Sequence, residues 1–173
     1  MRDATRQRLA AVARENAQKP FHGYVAGRES NIAPIIRYFP QWNLRDADRL
    51  WCAAFVYYCC MAAGFVIPYS PKECVTCSLA GCGGWEEYAM GDSRIAYHRR
   101  EEDFHPEAGD IVLYDRVFIG QEHDHMGIIL EAEDGGILTA EGNALSDNRS
   151  RVLCRPIDEH IRAYIRIPDG YRY

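Results

Sequence analysis

Residues 3–18 place Leu9, Ala10, Val12 and Ala13 on one side of a helix with Arg and Glu opposite, and Lys19 and Pro20 follow as a stop signal. The spacing predicts a modest amphipathic helix that packs as a lid or brace. Residues 21–42 mix Gly, Pro and aromatic side chains in irregular order, so they read as a wrapped connection with one short helical stretch over 34–38. The next segment, RLWCAAFVYYCCMAAGF, is apolar almost all round. A helix with no polar face is buried, so this one is predicted to be central, with Asp46 or Asp48 as its cap and Gly64 as its end.

Residues 68–105 are rich in Gly, Cys and Ser and then polar, which predicts turns and a short helix over 85–90. After them the period changes. DIVLYDR, HMGIILEAE, GILTAEGN, RVLCRPI and AYIRIP are short runs rich in β-branched residues, parted by turn residues such as Asp134-Gly135-Gly136 and Asp147-Asn148. Five antiparallel strands after a helical half make an α+β fold. No internal repeat or low-complexity tract interrupts it.

A length of 173 residues suits one domain, and 47% apolar with 26% charged residues is ordinary globular usage. The net charge of −5 and the scattered basic residues argue against nucleic acid as the main partner. No apolar run approaches the roughly 18 residues of a membrane span. The opening MRDATRQRLAAVARENAQ alternates charge with small apolar residues, unlike the apolar region of an export signal. The expected location is therefore cytoplasmic or one reached through other machinery. Seven cysteines without an export signal favour free thiols.

A thiol is a useful nucleophile as thiolate, and a helix N-terminus lowers its pKa. Of the seven cysteines, Cys52 alone fits that position, although a small core residue is an equal reading on position alone. Cys59 and Cys60 lie two turns deeper, where desolvation would keep them inert. Such a thiol needs an imidazole and a group that orients it. Among six histidines, His125 opens a strand in HDHMGIIL, and Gly127 would let a neighbouring backbone approach; His123, of the same strand parity, is the runner-up. The next strand, ILTAEGN, delivers Glu141 and Asn143 to one face within reach of His125.

WCAAFVYYCCMAAGF, PEAGDIVLYDR, DHMGIILEAEDGGILTAEGN and a closing AYIRIP, in that order over about residues 43–168, resemble the CHAP (cysteine, histidine-dependent amidohydrolase/peptidase) domains of the wider NlpC/P60-like, papain-like group. The resemblance implies a helical half presenting the cysteine against a five- to six-stranded antiparallel sheet. It implies one domain over 1–173, with 1–42 as an N-terminal helical extension and 43–168 as the catalytic core. Residue by residue it implies Cys52 as nucleophile, His125 as general base, Glu141 as orienting residue and Asn143 as a fourth polar member. No cofactor or metal belongs to this scheme, and the implied substrate is a peptide or amide bond, above all of peptidoglycan. The cysteine-rich segment after Pro71 and the insertion FIGQEHD before His125 depart from the pattern.

Other readings stay open. Cys74-x-x-Cys77-x4-Cys82 has short metal-ligand spacing but lacks a fourth ligand. The 12% aromatic content suits a non-catalytic cell-wall binding module of the same fold. A delivered toxin-like effector or a phage lysin would carry the same motifs.

Overall fold

Helix α1 (Thr5–Gln18) turns Leu9, Ala13 and Ala17 into the core and leaves Arg8 and Glu15 outside, as its spacing predicts. The computed structural model describes residues 4–19, 21–145 and 147–173; Asp3 and Pro20, read as part of the first helix and of its stop, lie outside them. In the connection, α2 (Ala33–Ile36) buries Ile35 and Ile36, and α3 (Leu44–Ala47) precedes the central helix α4 (Cys52–Ala63). Nine of the twelve residues of α4 are buried, which is why its sequence carries no polar stripe.

The capping of α4 differs from the sequence expectation. Asn43 caps α3, its side chain accepting from the amides of Arg45 and Asp46 at 2.9 and 3.0 Å. Asp48 instead accepts from the amide of Tyr24 at 2.9 Å and from Asn148 Nδ2 at 2.6 Å. The residue ahead of α4 is Trp51, whose side chain forms no cap, and the first turn of the helix holds no acidic residue. The amides there remain available to an anion. At the other end Gly64, at φ 98°, closes the helix as predicted: Phe65 N donates to Cys60 O at 3.1 Å, the pattern that a left-handed terminal residue permits.

After α5 (Cys82–Gly91) come β1 (Ala96–Arg99), β2 (Ile111–Tyr114), β3 (His125–Glu133), β4 (Gly136–Ala144), β5 (Arg149–Pro156) and β6 (Ile161–Arg166). They form one antiparallel sheet of order β1-β6-β2-β3-β4-β5. Five of these strands match the predicted runs. β1 does not, because AYHR is short and sits in a charged stretch; it pairs with β6 from Ala96↔Arg166 to Arg99↔Ala163.

The sheet has two apolar faces. Met126, Ile128, Leu130, Ala140, Ala163 and Ile165 join the core shared with the helices, while Val112, Tyr114, Ile129, Ile137, Ile161 and Tyr164 form a smaller cluster on the opposite face. At Gly142 the helix and β4 approach closely: a Cβ there would stand 2.5 Å from Phe55 Cβ and 2.9 Å from Trp51 Cζ3. That contact sets the start of α4 against the end of β4. Asp110, from the G-D-I-V motif, is wholly buried and held by a fork from Arg166 at 2.8 and 2.7 Å, so it braces β2 to β6.

Candidate active site

Cys52 opens α4 with 7% of its surface exposed, at the floor of a cleft of about 300 Å³. The turn ahead of it is held by a buried residue that the sequence reading did not single out. Asn148, in the left-handed region at φ 61°, accepts from Trp51 Nε1 at 2.8 Å and from the Arg49 amide at 3.2 Å. Its Nδ2 donates to Asp48 Oδ1 and to Tyr24 O. One side chain thus ties its own turn to Tyr24 and to the segment 48–51 just upstream of the thiol.

Cys82, the first residue of α5, faces Cys52 with the two sulfurs 3.8 Å apart. The Cys52 thiol is held well below its ordinary pKa. The hydrogen bond from Cys82 lowers it most; burial opposes; the hydrogen bond and charge of His125 and the amide of Ala53 lower it further. Cys82 moves the opposite way, because its proton is retained by the neighbouring sulfur and by burial. Cys59 and Cys60 in the same helix are pushed up, chiefly by burial, which agrees with the inert state expected of them.

His125 begins β3, where strand alternation sets it opposite Met126 and beside Tyr114 and Glu141. Gly127 makes room for Glu141, whose Cγ would be 2.8 Å from a Cβ at that position; the neighbour met there is this side chain as well as the Ala140 carbonyl. Glu141 Oε2 is 2.7 Å from His125 Nε2. Glu141 also accepts from Thr139 Oγ1 at 2.7 Å and from a fork of Arg155 at 2.9 and 2.6 Å. Burial works against its charge but is outweighed by the charge and hydrogen bond of His125 and by Arg155, which hold the carboxyl at about 2. An ionised carboxylate on Nε2 requires the proton there and turns the Nδ1 lone pair to the other side.

Nδ1 makes no hydrogen bond of ordinary geometry, and the Cys52 sulfur stands close enough to raise the imidazole. Burial alone would lower the His125 pKa; the charge of Glu141 and the hydrogen bonds and charge from both sides bring it to about 10. Tyr114 stacks on the ring at 6.0 Å and Phe118 lies at 6.4 Å. Phe118 belongs to the FIGQEHD insertion, which Asp124 folds into a tight loop by accepting from the amides of Val117, Phe118, Ile119 and Gly120.

Asn143 lines the same cleft but is engaged elsewhere. At φ 50° it leaves the regular alternation of β4, and its Nδ2 donates to Arg49 O at 2.7 Å instead of reaching His125. His123 also lines the cleft; it sits ahead of the strand at φ 36°, with its amide held by Asp115, so it does not share the strand parity expected of it. Cys74 Sγ donates to Gly84 O and Cys77 Sγ accepts from Gly84 N, so these sulfurs serve the start of α5. Among the described residues no three His, Cys, Asp or Glu side chains converge on a point that could hold a metal ion. Nor does any helix among them have the length and apolarity to cross a membrane.

Cys82, Arg155, Thr139 and Asn148 are the site residues that sequence reasoning missed. Cys82 had a visible signal, since Gly81 and Gly83 flank it where a helix begins. Together these groups can hold a thiolate beside an imidazolium in a narrow cleft, the arrangement needed to attack a carbonyl and then protonate a leaving group.

The chain matches no curated protein in sequence. Among solved structures, one described as the crystal structure of Ly7917 superposes with a TM-score of 0.54 at 13% identity, covering 97% of this chain and 63% of that one. That likeness concerns the fold alone. The sequence profile of the CHAP domain matches residues 44–143, which spans α3 to the end of the E-G-N motif. The chain belongs to the CHAP domain family.

Proposed function

We propose that the chain is a papain-like cysteine amidase or endopeptidase that hydrolyses an amide bond of peptidoglycan. Membership of the CHAP family already makes it a hydrolase of amidase or peptidase type. The observation that carries the finer reading is the join between Cys52, at an uncapped helix start, and a buried His125 whose far nitrogen meets the Glu141 carboxylate at 2.7 Å. In this reading residues 43–168 are the catalytic core of one domain over 1–173, and residues 1–42 are its helical extension.

Cys52 attacks the carbonyl carbon as thiolate, and the backbone amide of Cys52, outside the helix's internal ladder, donates to the developing oxyanion. His125 delivers its proton to the leaving amine and then takes one from the water that releases the acyl group. Glu141, fixed by Arg155 and Thr139, keeps the proton on Nε2 and so keeps Nδ1 for the chemistry. Asn143 acts through the chain: its bond to Arg49 O ties the end of β4 to the turn that leads into Cys52.

The shape of the cleft supports a polymeric substrate. Trp42 and Ala80 line it and also line a second groove, which continues past Phe39, Tyr69, Ser70, Thr76 and Ser78 with no charged side chain. Aromatic faces with neutral hydroxyls suit an extended, uncharged stretch of glycan or peptide.

The test is release of free amine from purified peptidoglycan fragments by the wild type and by Cys52→Ala, with mass spectrometry of the products to show which bond is cut. Cys52→Ala should lose turnover by a factor of about 10⁴ or more while its fold stays intact. Hydrolysis retained in that variant would remove Cys52 from the mechanism, and binding without hydrolysis by the wild type would favour a non-catalytic wall-binding module.

A further inference from the structure

Cys52 and Cys82 make the only sulfur–sulfur hydrogen-bond contact among the described residues, at 3.8 Å. Each is the first residue of a helix, α4 and α5 respectively, both are nearly buried, and both line the same cleft. A disulfide needs the sulfurs about 1.8 Å closer, at the usual length near 2.0 Å. The other thiols are placed differently. Cys59 and Cys60 are sealed within α4, Cys74 and Cys77 are bonded to the backbone of Gly84, and Cys154 stands exposed on β5.

We propose that Cys82 is a resolving cysteine, and that exposure to a peroxide joins it to Cys52 in a reversible disulfide that switches the site off and spares Cys52 from further oxidation. The Cys52 thiolate attacks one oxygen of hydrogen peroxide; the O–O bond breaks, hydroxide leaves, and Cys52 becomes a sulfenic acid. The Cys82 sulfur then attacks the sulfenic sulfur; the S–O bond breaks, the Cys82 proton leaves with the hydroxyl as water, and the S–S bond forms. In total two thiols and one hydrogen peroxide give one disulfide and two waters. Two equivalents of an external thiol reverse the change. The lowered pKa of Cys52 makes it the sulfur that is oxidised first, and its oxidation removes the negative charge and the hydrogen bond that hold the proton on Cys82, which can then give up that proton as it attacks.

The disulfide requires only the two thiols, whereas its inhibitory effect rests on Cys52 being the nucleophile. The full chain is therefore treated with stoichiometric hydrogen peroxide, alkylated, digested and mapped by mass spectrometry, with hydrolysis read on the same sample. The expected result is a mass lower by two hydrogens, a peptide cross-linked from Cys52 to Cys82, loss of hydrolysis, and recovery of both free thiols and hydrolysis with dithiothreitol. In Cys82→Ser two or more equivalents of hydrogen peroxide, the second oxidising the sulfenic acid that no thiol removes, should drive Cys52 to sulfinic acid, which dithiothreitol does not restore. A Cys74–Cys77 cross-link in place of the expected one, or Cys52 sulfinic acid in the wild type with Cys82 still alkylatable, would overturn the proposal. A Cys52–Cys82 cross-link with undiminished hydrolysis would overturn the switch and the nucleophile assignment together. Absence of the cross-link while Cys52→Ala is inactive would overturn the disulfide alone. The wild-type map decides the matter even if Cys82→Ser fails to fold.

Discussion

Cys52 and Cys60 stand on one helix, both buried, two turns apart, and their thiols are driven in opposite directions. At Cys60 burial pushes the thiol up. At Cys52 burial pushes the same way and loses, because the hydrogen bond from Cys82, the nearby charge of His125 and the amide of Ala53 all favour the thiolate. The difference lies in what surrounds the two ends of the helix. The start of α4 meets the start of α5 and the imidazole at the start of β3, whereas the interior of the helix meets hydrocarbon. Depth in the core therefore does not separate a thiol held low from one pushed up; the groups that two distant segments bring to the helix start do.

Removing those donors should erase the contrast. His125→Ala should lower hydrolysis by about 10² to 10⁴, since proton transfer and the partner charge are lost together. Glu141→Ala should cost less, because it disturbs the tautomer and orientation of an imidazole that is still present. Rates with peptidoglycan fragments for the two variants decide the order, and equal losses would give Glu141 a more direct part.

A smaller effect lies in the pH profile. Glu141 is lowered from 4.5 to about 2 and His125 is raised from 6.5 to about 10. The carboxylate's contribution to folding is thus complete above its ordinary value and lost as pH falls through its folded value near 2. The imidazolium's contribution is complete below 6.5 and lost as pH rises through about 10. Both are whole only between those ordinary values. The alkaline limb of kcat/KM should accordingly lie near 10. A limb near 6.5 would mean that His125 titrates as an unpaired imidazole.

The same contrast explains what could be read from the sequence. Five strands and the buried helix were legible because their periodicity depends on local burial, and Cys52, His125 and Glu141 followed from motif order. β1 was not legible, since AYHR becomes a strand only when β6 offers it an edge. Asp48 carries every local mark of a cap, yet it is drawn to Asn148, a residue 100 positions away. Cys82 reads as one of three loop cysteines until α5 is seen to start at it rather than near Trp85. Arg155 sits in a strand with no distinguishing pattern, and its fork on Glu141 depends on how β5 lies against β4. What a sequence conceals here is the charge partner that another strand or helix supplies.

The most direct test is labelling of the native chain with a limiting amount of iodoacetamide near neutral pH, followed by mass-spectrometric mapping of all seven cysteines. Cys52 should react ahead of the exposed Cys77 and Cys154 despite its burial, Cys59 and Cys60 should stay silent, and the preference for Cys52 should vanish in His125→Ala. Reaction confined to Cys74, Cys77 and Cys154 with Cys52 silent would contradict the thiolate–imidazolium site on which the account depends.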